Sequence, residues 1–269
     1  MSPERVQADH VIAFPGNPPF SFHASGKARV VEINSVLLHN ARGPYRTSHP
    51  FGGKDSGHSM VLRRDLLLGV LAHGDPGSSE RPDAPFSRDV APRTARAHFL
   101  KEALFRRASD GVDEPFEIEE MALKLAELVT ALPASNRTGK EPEPTRWTVD
   151  LVEAVKGEMC ARLGEKLTID VVAERVKASP FHLIRSFRRI TGESAHRYRV
   201  RARARAALSR LFEGWTDLPA LAKEMGFSNH SHLTSCFRRE FGLTPSLILR
   251  SVNARQLGRL MAHAGSRLP

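Results

Sequence analysis

Residues 171–192, VVAERVKASPFHLIRSFRRITG, lie over residues 220–242, ALAKEMGFSNHSHLTSCFRREFG. Ala173 falls on Ala222, Ser179 on Ser228, Leu183 on Leu233, Phe187 on Phe237, Arg188 and Arg189 on Arg238 and Arg239, and Gly192 on Gly242. The offset is 49 at the start and 50 from Leu183 onward, so one residue is inserted between the two parts of the second copy. Each copy reads as a short helix carrying a small residue, a turn of three or four residues, and a second helix with apolar residues at i and i+4. The alanine lets the two helices approach closely, and the apolar pair anchors the second helix while its opposite face stays free. That is a helix-turn-helix pattern. One copy is weak evidence, because many helical hairpins share it; two copies in one chain point to a module that reads DNA.

Outward from the repeat, helices are expected over 147–163, 168–176, 180–191, 195–212, 218–225, 230–241 and 245–262. The breaks fall at Gly164, Gly192, Gly214, Gly226 and Gly242, where a residue that tolerates a left-handed backbone ends a helix. Between the copies, RYRVRARARAALSR (197–210) puts arginine at every second position from 197 to 205, the period of a strand. In a wider window Val200, Ala204, Ala207, Leu208 and Leu211 form one helical apolar stripe, opened by Ser194 as a cap and stopped by Gly214. The arginines then divide into two rows, Arg197/Arg201/Arg205 and Arg199/Arg203/Arg210, beside that stripe. One row facing DNA phosphates is the functional reading, and a solvated face is the alternative.

The charge balance separates two halves. Residues 145–269 hold 22 Lys/Arg against 11 Asp/Glu, whereas residues 1–144 hold 18 against 19, so all of the net +10 lies in the C-terminal half. A compact basic module of this size most often meets a phosphate backbone or an anionic surface. Residues 133–146, PASNRTGKEPEPTR, read as a linker, with three prolines and almost nothing apolar. Before it, the runs VIAF (11–14), FSFH (20–23), ARVVEINSVLL (28–38) and HSMVL (58–62), separated by turn residues, read as an antiparallel β domain extending to about residue 92. Two helices follow, over 93–109 and 116–132. The second carries Ile118, Met121, Leu125, Leu128, Val129 and Leu132 as an apolar stripe, a core face whose alternative use is a dimer seam.

Several chemistries lack a basis in the sequence. Cys160 and Cys236 stand far apart with no CxxC or Cys/His ligand spacing, so neither a disulfide framework nor a zinc site is suggested. His23, His39, His49, His58 and His73 are scattered, without the spacing of a metal site, and no nucleophile–base constellation, phosphate-cradling loop or paired carboxylates stands out. No catalytic residue, metal or cofactor is therefore expected. The run PFSFH (19–23) would suit a pocket lining or a packed core equally. No apolar run of eighteen residues exists and the first residues lack a secretory pattern, so a cytoplasmic protein without a membrane span is expected.

The stretches LTIDVVAERVKASPFHLIRSFRRITGESAHRY and LPALAKEMGFSNHSHLTSCFRREFGLTPS closely resemble the double helix-turn-helix domain of AraC/XylS-type transcription regulators, over about residues 147–250. The N-terminal half, including PYRTSHPFGGKDSGH, looks like the cupin-type sensing domain of many such regulators. The resemblance implies an α+β chain: a cupin-like sensing and dimerisation domain over 1–132, an antiparallel β domain with two helices; a linker over 133–146; an all-α double helix-turn-helix domain over 147–251; and a tail over 252–269. It also implies double-stranded DNA as the partner, with RNA polymerase, a small-molecule effector and a second copy of the chain joined through 116–132 as further candidates. In the resembled family the positions of Phe181 and Arg185 enter the major groove. An arginine can donate two hydrogen bonds to guanine, and an exposed aromatic ring can pack on a thymine methyl.

Helical geometry adds to this. Leu183, Phe187 and Ile190 share the buried face of the first recognition helix, Ser179 is the expected cap, and Pro180 takes the first helical position. On the second, Leu233, Phe237 and Phe241 are the inner stripe and Asn229 the cap, leaving Ser231 and Ser235 outward for bases. Ser235 stands where relatives often carry a longer polar group, so the second half-site is expected to be read weakly. Arg188, Arg189, Arg238, Arg239, Arg197 and Arg201 are the candidates for phosphates. The alternatives are an architectural DNA binder of low specificity and an enzyme fused to a DNA-binding tail. Alkylation-repair proteins that resemble the C-terminal half need a cysteine cluster, and residues 1–144 contain no cysteine.

Overall fold

The alternating runs of the N-terminal half form strands β1 (Arg5–Val6), β2 (Val11–Pro15), β3 (Phe20–Ala24), β4 (Lys27–Val31), β5 (Ser35–His39), β6 (Pro44–Ser48), β7 (Gly57–Met60) and β8 (Val90–Pro92). They make two four-stranded sheets, ordered β1-β6-β3-β4 and β7-β2-β5-β8, with every pairing antiparallel. The computed structural model describes residues 1–111, 115–131 and 143–253. Of the linker expected over 133–146, residues 133–142 lie outside the described residues and Arg146 already opens a helix; of the tail expected over 252–269, residues from 254 lie outside them. Among the described residues no helix is long and apolar enough to cross a membrane.

Phe20, Phe22 and Val31 from one sheet pack on Leu37 from the other, and Phe22 stacks on Tyr45 with ring centroids 5.4 Å apart. Residues 19–22 of the run are thus packed core, whereas the half-buried His23 lines a surface recess beside Tyr45 and Arg46. In the second sheet β5 is buried along its whole length, SVLLH, which suits a central strand hydrogen-bonded on both edges.

Among the described residues three α-helices accompany the sheets, not the two expected: α1 (Arg64–Gly74), α2 (Ala95–Ser109) and α3 (Pro115–Thr130). The correction is α1, RDLLLGVLAHG, which lies inside the stretch read as β. Its leucines are good helix formers, and burial of Leu67 and Leu71 at i and i+4 fixes the helix on the core. In α3, Met121, Leu125 and Val129 are buried, and Ile118 and Leu128 pack against the same core. The stripe is used as a core face within the chain; of its expected residues, Leu132 lies outside the described residues.

The C-terminal half is helical: α4 (Arg146–Ala161), α5 (Ile169–Arg175), α6 (Pro180–Thr191), α7 (Ala195–Phe212), α8 (Leu218–Glu224), α9 (His230–Phe241) and α10 (Pro245–Asn253). The 245–262 helix is seen up to Asn253 and its continuation lies outside the described residues. Gly192 and Gly242 occupy equivalent places after α6 and α9, with φ of 76° and 65°, and their amides donate to the carbonyls of Arg188 and Arg238. Each glycine ends its helix in the left-handed conformation that disfavours other residues.

Two cores meet along α7. Leu151, Val155, Val172, Ala173, Leu183, Phe187, Tyr198 and Ala202 form the core of the first helix-turn-helix. The second module, through Leu208, Leu221, Ala222, Leu233, Phe237 and Phe241, belongs to a cluster that continues through Phe99 and Leu104 of α2 to Phe14 and Val36 of the sheet. The modules also touch each other at Gly164, where an added Cβ would lie 2.4 Å from the carbonyl oxygen of Glu224.

Candidate nucleic-acid interface

Helix α6 begins at Ser179, whose hydroxyl accepts from the His182 amide at 3.2 Å, and Pro180 follows at the first helical position. Leu183 and Phe187 are fully buried and fix one face. The opposite face carries Phe181, 76% exposed, Ile184, 51% exposed, and the exposed Arg185 and Arg188. Arg189 is exposed beside them. Helix α9 repeats the arrangement. Asn229 accepts from the His232 amide at 2.8 Å, Leu233, Phe237 and Phe241 are buried, and Ser231, Ser235, Arg238 and Arg239 are exposed. Among the described residues no carboxylate pairs with Arg185, Arg188 or Arg238. Those guanidiniums are available to an anionic partner.

The two outward faces differ in chemistry. Ser235 Oγ donates to the Ser231 carbonyl at 3.0 Å, a bond within the helix that takes the hydroxyl's only proton. His232 Nδ1 lies 3.0 Å from Ser228 Oγ, and Arg239 Nη2 lies 3.4 Å from Cys236 Sγ. Helix α6 therefore offers apolar surface with Arg185 and Arg188, and α9 offers short hydroxyls and arginines.

The alternating arginines of α7 divide by row: Arg197 and Arg201 face Glu193, with Arg205 buried beyond them, while Arg199 and Arg203 reach loop carbonyls and Arg210 reaches Glu213 and Glu224. Arg197 is exposed, with a Glu193 oxygen at 3.8 Å, whereas Arg201 is bonded to the Glu193 carboxylate and lies over the Tyr198 ring. Arg199 donates to the carbonyls of Leu167, Arg162 and Glu165, and Arg203 donates to the carbonyls of Leu163 and Glu165. These two brace the loop between α4 and α5. Arg205 is 1% exposed. Burial claims Arg205 and loop carbonyls claim Arg199 and Arg203; carboxylates hold Arg201 and Arg210, and Arg197 is exposed.

Behind the interface, a polar seam joins the halves. The Arg205 guanidinium donates to Glu240 Oε1 through Nε at 3.0 Å and Nη2 at 2.8 Å, and to Asn34 Oδ1 at 3.1 Å. The Arg205 carbonyl accepts from His98 Nε2 at 3.1 Å. His98 Nδ1 lies 3.1 Å from Arg93 Nη1, which can only donate, so Nδ1 accepts and the proton of the neutral ring sits on Nε2. Burial, then the positive charges of Arg93, Lys101 and Arg205, hold His98 well below the usual histidine range. Glu102 accepts from Lys101 Nζ at 2.5 Å and from Ser209 of α7, and burial lowers the Lys101 ammonium.

Glu32, 1% exposed, is the second node. Its carboxylate accepts from the Tyr198 hydroxyl at 2.6 Å and from the Cys160 thiol at 3.2 Å. Burial first, then the Glu32 charge, pushes both groups well up, so Cys160 stays a protonated thiol and a poor nucleophile. Glu153 of α4 accepts from the Val30 amide at 2.8 Å. None of Glu32, Asn34, Arg93, His98 or Glu102 stands out in the sequence by spacing. The usable signal is in α7, where Tyr198, Val200, Ala202, Ala204, Ala207, Leu208, Leu211 and Phe212 are apolar nearly all round the helix. A helix apolar on most sides is central, and an arginine on it needs a buried partner. Among the described residues no group of three or more His, Cys, Asp or Glu is placed to hold a metal ion.

A helix-turn-helix domain family matches residues 172–251. The bifunctional transcriptional activator/DNA repair enzyme AdaA of Bacillus subtilis is 27% identical over 119 residues, which are 43% of this chain and 56% of AdaA. The HTH-type transcriptional regulator ArgR of Pseudomonas aeruginosa is 28% identical over 114 residues, 42% of this chain and 32% of ArgR. The chain thus spans about half the length of the first relative and about a third of the second. Among solved structures, a transcriptional regulator with an AraC-type DNA-binding domain from Chromobacterium violaceum is 24% identical with a TM-score of 0.37, covering 38% of this chain and 92% of its own. ToxT from Vibrio cholerae is 11% identical with a TM-score of 0.37, covering 92% of this chain and 90% of its own.

Proposed function

We propose that this chain, whose residues 172–251 form an AraC-type helix-turn-helix domain, is a sequence-specific DNA-binding transcription regulator controlled through its N-terminal half. The observation that carries the reading is the duplicated geometry. Helices α6 and α9 are capped alike, anchored by the same apolar pair, and each turns exposed arginines away from the core. Both are held by α7, so one protomer would present two helices to successive major grooves, roughly 34 Å apart, and would cover a non-palindromic site. In this reading Phe181, Arg185, Ser231 and Ser235 face bases, and Arg188, Arg189, Arg197, Arg201, Arg238 and Arg239 face phosphates. Arg201 would have to share its charge with Glu193.

The seam supports control from the N-terminal half. Glu32 bonds α4 and α7, and Arg205 bonds both Asn34 of the sheet domain and Glu240 of the second recognition helix. A cleft of about 600 Å³ opens along the same seam, lined by Gly57 and Lys101 on one side and Arg162, Ser209 and Glu224 on the other. AdaA is named as a repair enzyme as well as an activator, but residues 1–144 of this chain supply no cysteine. We therefore read the chain as a regulator without repair chemistry.

Selecting bound duplexes from a random pool with the full chain tests the reading. A regulator enriches a shared sequence, preferred over random DNA by roughly 10³-fold or more. Bound DNA without a shared sequence, with an affinity that falls alike on every duplex as salt rises, would establish the architectural alternative instead. Within the selected site, Arg185→Ala is expected to cost roughly 1–3 kcal/mol of specific binding. An equal loss on random duplex would place Arg185 on phosphate.

A further inference from the structure

Seven large apolar side chains are exposed among the described residues, and three of them, Trp147, Phe181 and Ile184, sit on or against α6. Trp147 lies over His182 with ring centroids 4.9 Å apart, and Phe181 and Ile184 stand one helical turn apart on the outward face next to Arg185. Neither Phe181 nor Ile184 is needed for the core of the module, which Leu183 and Phe187 fill. Their exposure in the free chain leaves apolar surface in water on the face that a recognition helix turns to DNA. Helix α9 has no counterpart. Its outward positions are Ser231, His232, Ser235 and arginines, and the Ser235 hydroxyl is bonded within the helix.

In the major groove the apolar group that unmodified base edges present is the 5-methyl of thymine; the other edges are hydrogen-bond donors and acceptors. We infer that Phe181 and Ile184 together read thymine methyl groups, and that this readout is confined to the half-site bound by α6. Ile184 thereby becomes a specificity-determining residue in its own right, with Arg185 supplying a polar contact beside Phe181. The α9 half-site is held through its arginines on the backbone and is indifferent to methyl groups. This inference rests on the proposed reading of α6 as a DNA-recognition helix and states what that helix prefers.

The test uses the full chain and the duplex it selects from a random pool. Each thymine is replaced singly by deoxyuridine, which removes the methyl and leaves the pairing edge intact, and Kd is measured by fluorescence anisotropy at fixed salt. Two or more positions within one half-site are expected to weaken binding about three- to fivefold each, the scale of burying one methyl-sized group. The other half-site is expected to show no change. Phe181→Ala and Ile184→Ala should each abolish the sensitivity at one of those positions while leaving the salt slope unaltered, since neither side chain neutralises a phosphate. Both residues are exposed, so both variants keep the fold, which circular dichroism checks. Equal affinity for every deoxyuridine duplex would overturn the inference, as would methyl sensitivity that survives in both variants or is spread over both half-sites. Selection of a shared sequence together with any of these results would leave the regulator reading standing. Failure to enrich any DNA would remove that reading and the inference with it.

Discussion

Replacing Arg205 with alanine is expected to lower the stability of the folded chain by about 3–5 kcal/mol, the scale of breaking a buried ion pair. The guanidinium is 1% exposed, and its removal leaves the Glu240 carboxylate, itself only 18% exposed, and the Asn34 amide oxygen without their donor. Part of that loss is returned, because Arg205 and Arg93 repel each other; burial first and then Arg205 pull the Arg93 guanidinium down to about 9. The expected result therefore lies toward the lower end of the range. Urea titration followed by circular dichroism measures it, and Arg205→Met combined with Glu240→Leu should recover much of the loss, since an apolar pair of similar volume carries no desolvation penalty. A cost below about 1 kcal/mol, the value of a solvated pair, would mean that the halves do not close on Arg205 in solution.

Acid is expected to act on the same seam. His98 is fully buried and neutral, with its folded-state affinity for a proton well below that of the unfolded chain at about 6.5. Unfolding therefore takes up a proton below that pH. The stabilisation is complete above about pH 6.5 and is lost as pH falls, by about 1.4 kcal/mol per unit from His98 alone. Burial lowers His10 and His39 as well, so their contributions carry the same sign. Denaturant titrations at pH 7.5, 6.0 and 5.0 should show this slope. His98→Gln, which keeps a donor for the Arg205 carbonyl but does not titrate, should flatten it by about that amount. Equal stability at the three pH values would show that His98 is accessible to water or already charged.

The order of helices in the C-terminal half is legible from sequence because each of its signals is local. Apolar spacing at three and four, Ser179 or Asn229 before the first turn, and Gly192 or Gly242 after the last all lie within a few residues of the element they define. The strands are legible where hydrophobic residues concentrate, as in 11–14 and 20–23, and not where strands are short and polar, as in β1 and β6. Helix α1 escapes because Gly- and Pro-rich turns on either side make the whole stretch resemble β structure. The outward faces of α6 and α9 follow from the helical period once the inner stripes are known, which places Phe181, Arg185, Ser231 and Ser235 on the surface. The seam is of another kind. Arg205 meets Asn34 across 171 positions and Tyr198 meets Glu32 across 166, and no period links residues so distant. The alternation of arginine with small apolar residues over 199–205 conceals the matter further, since it presents as one pattern what the fold divides into loop braces, one ion pair and one buried charge.

The apolar cluster that begins at Ile12 and Phe14 in the sheet and ends at Phe241 and Ile248 beyond the second recognition helix has a thermodynamic consequence. Two domains joined by a linker ordinarily melt separately, each with its own midpoint. A shared core removes that independence, and the chain should melt in one cooperative transition whose calorimetric and van't Hoff enthalpies agree. The unit of folding is then larger than the unit of sequence organisation, and a perturbation of the sheet changes how often the second recognition helix is intact at all.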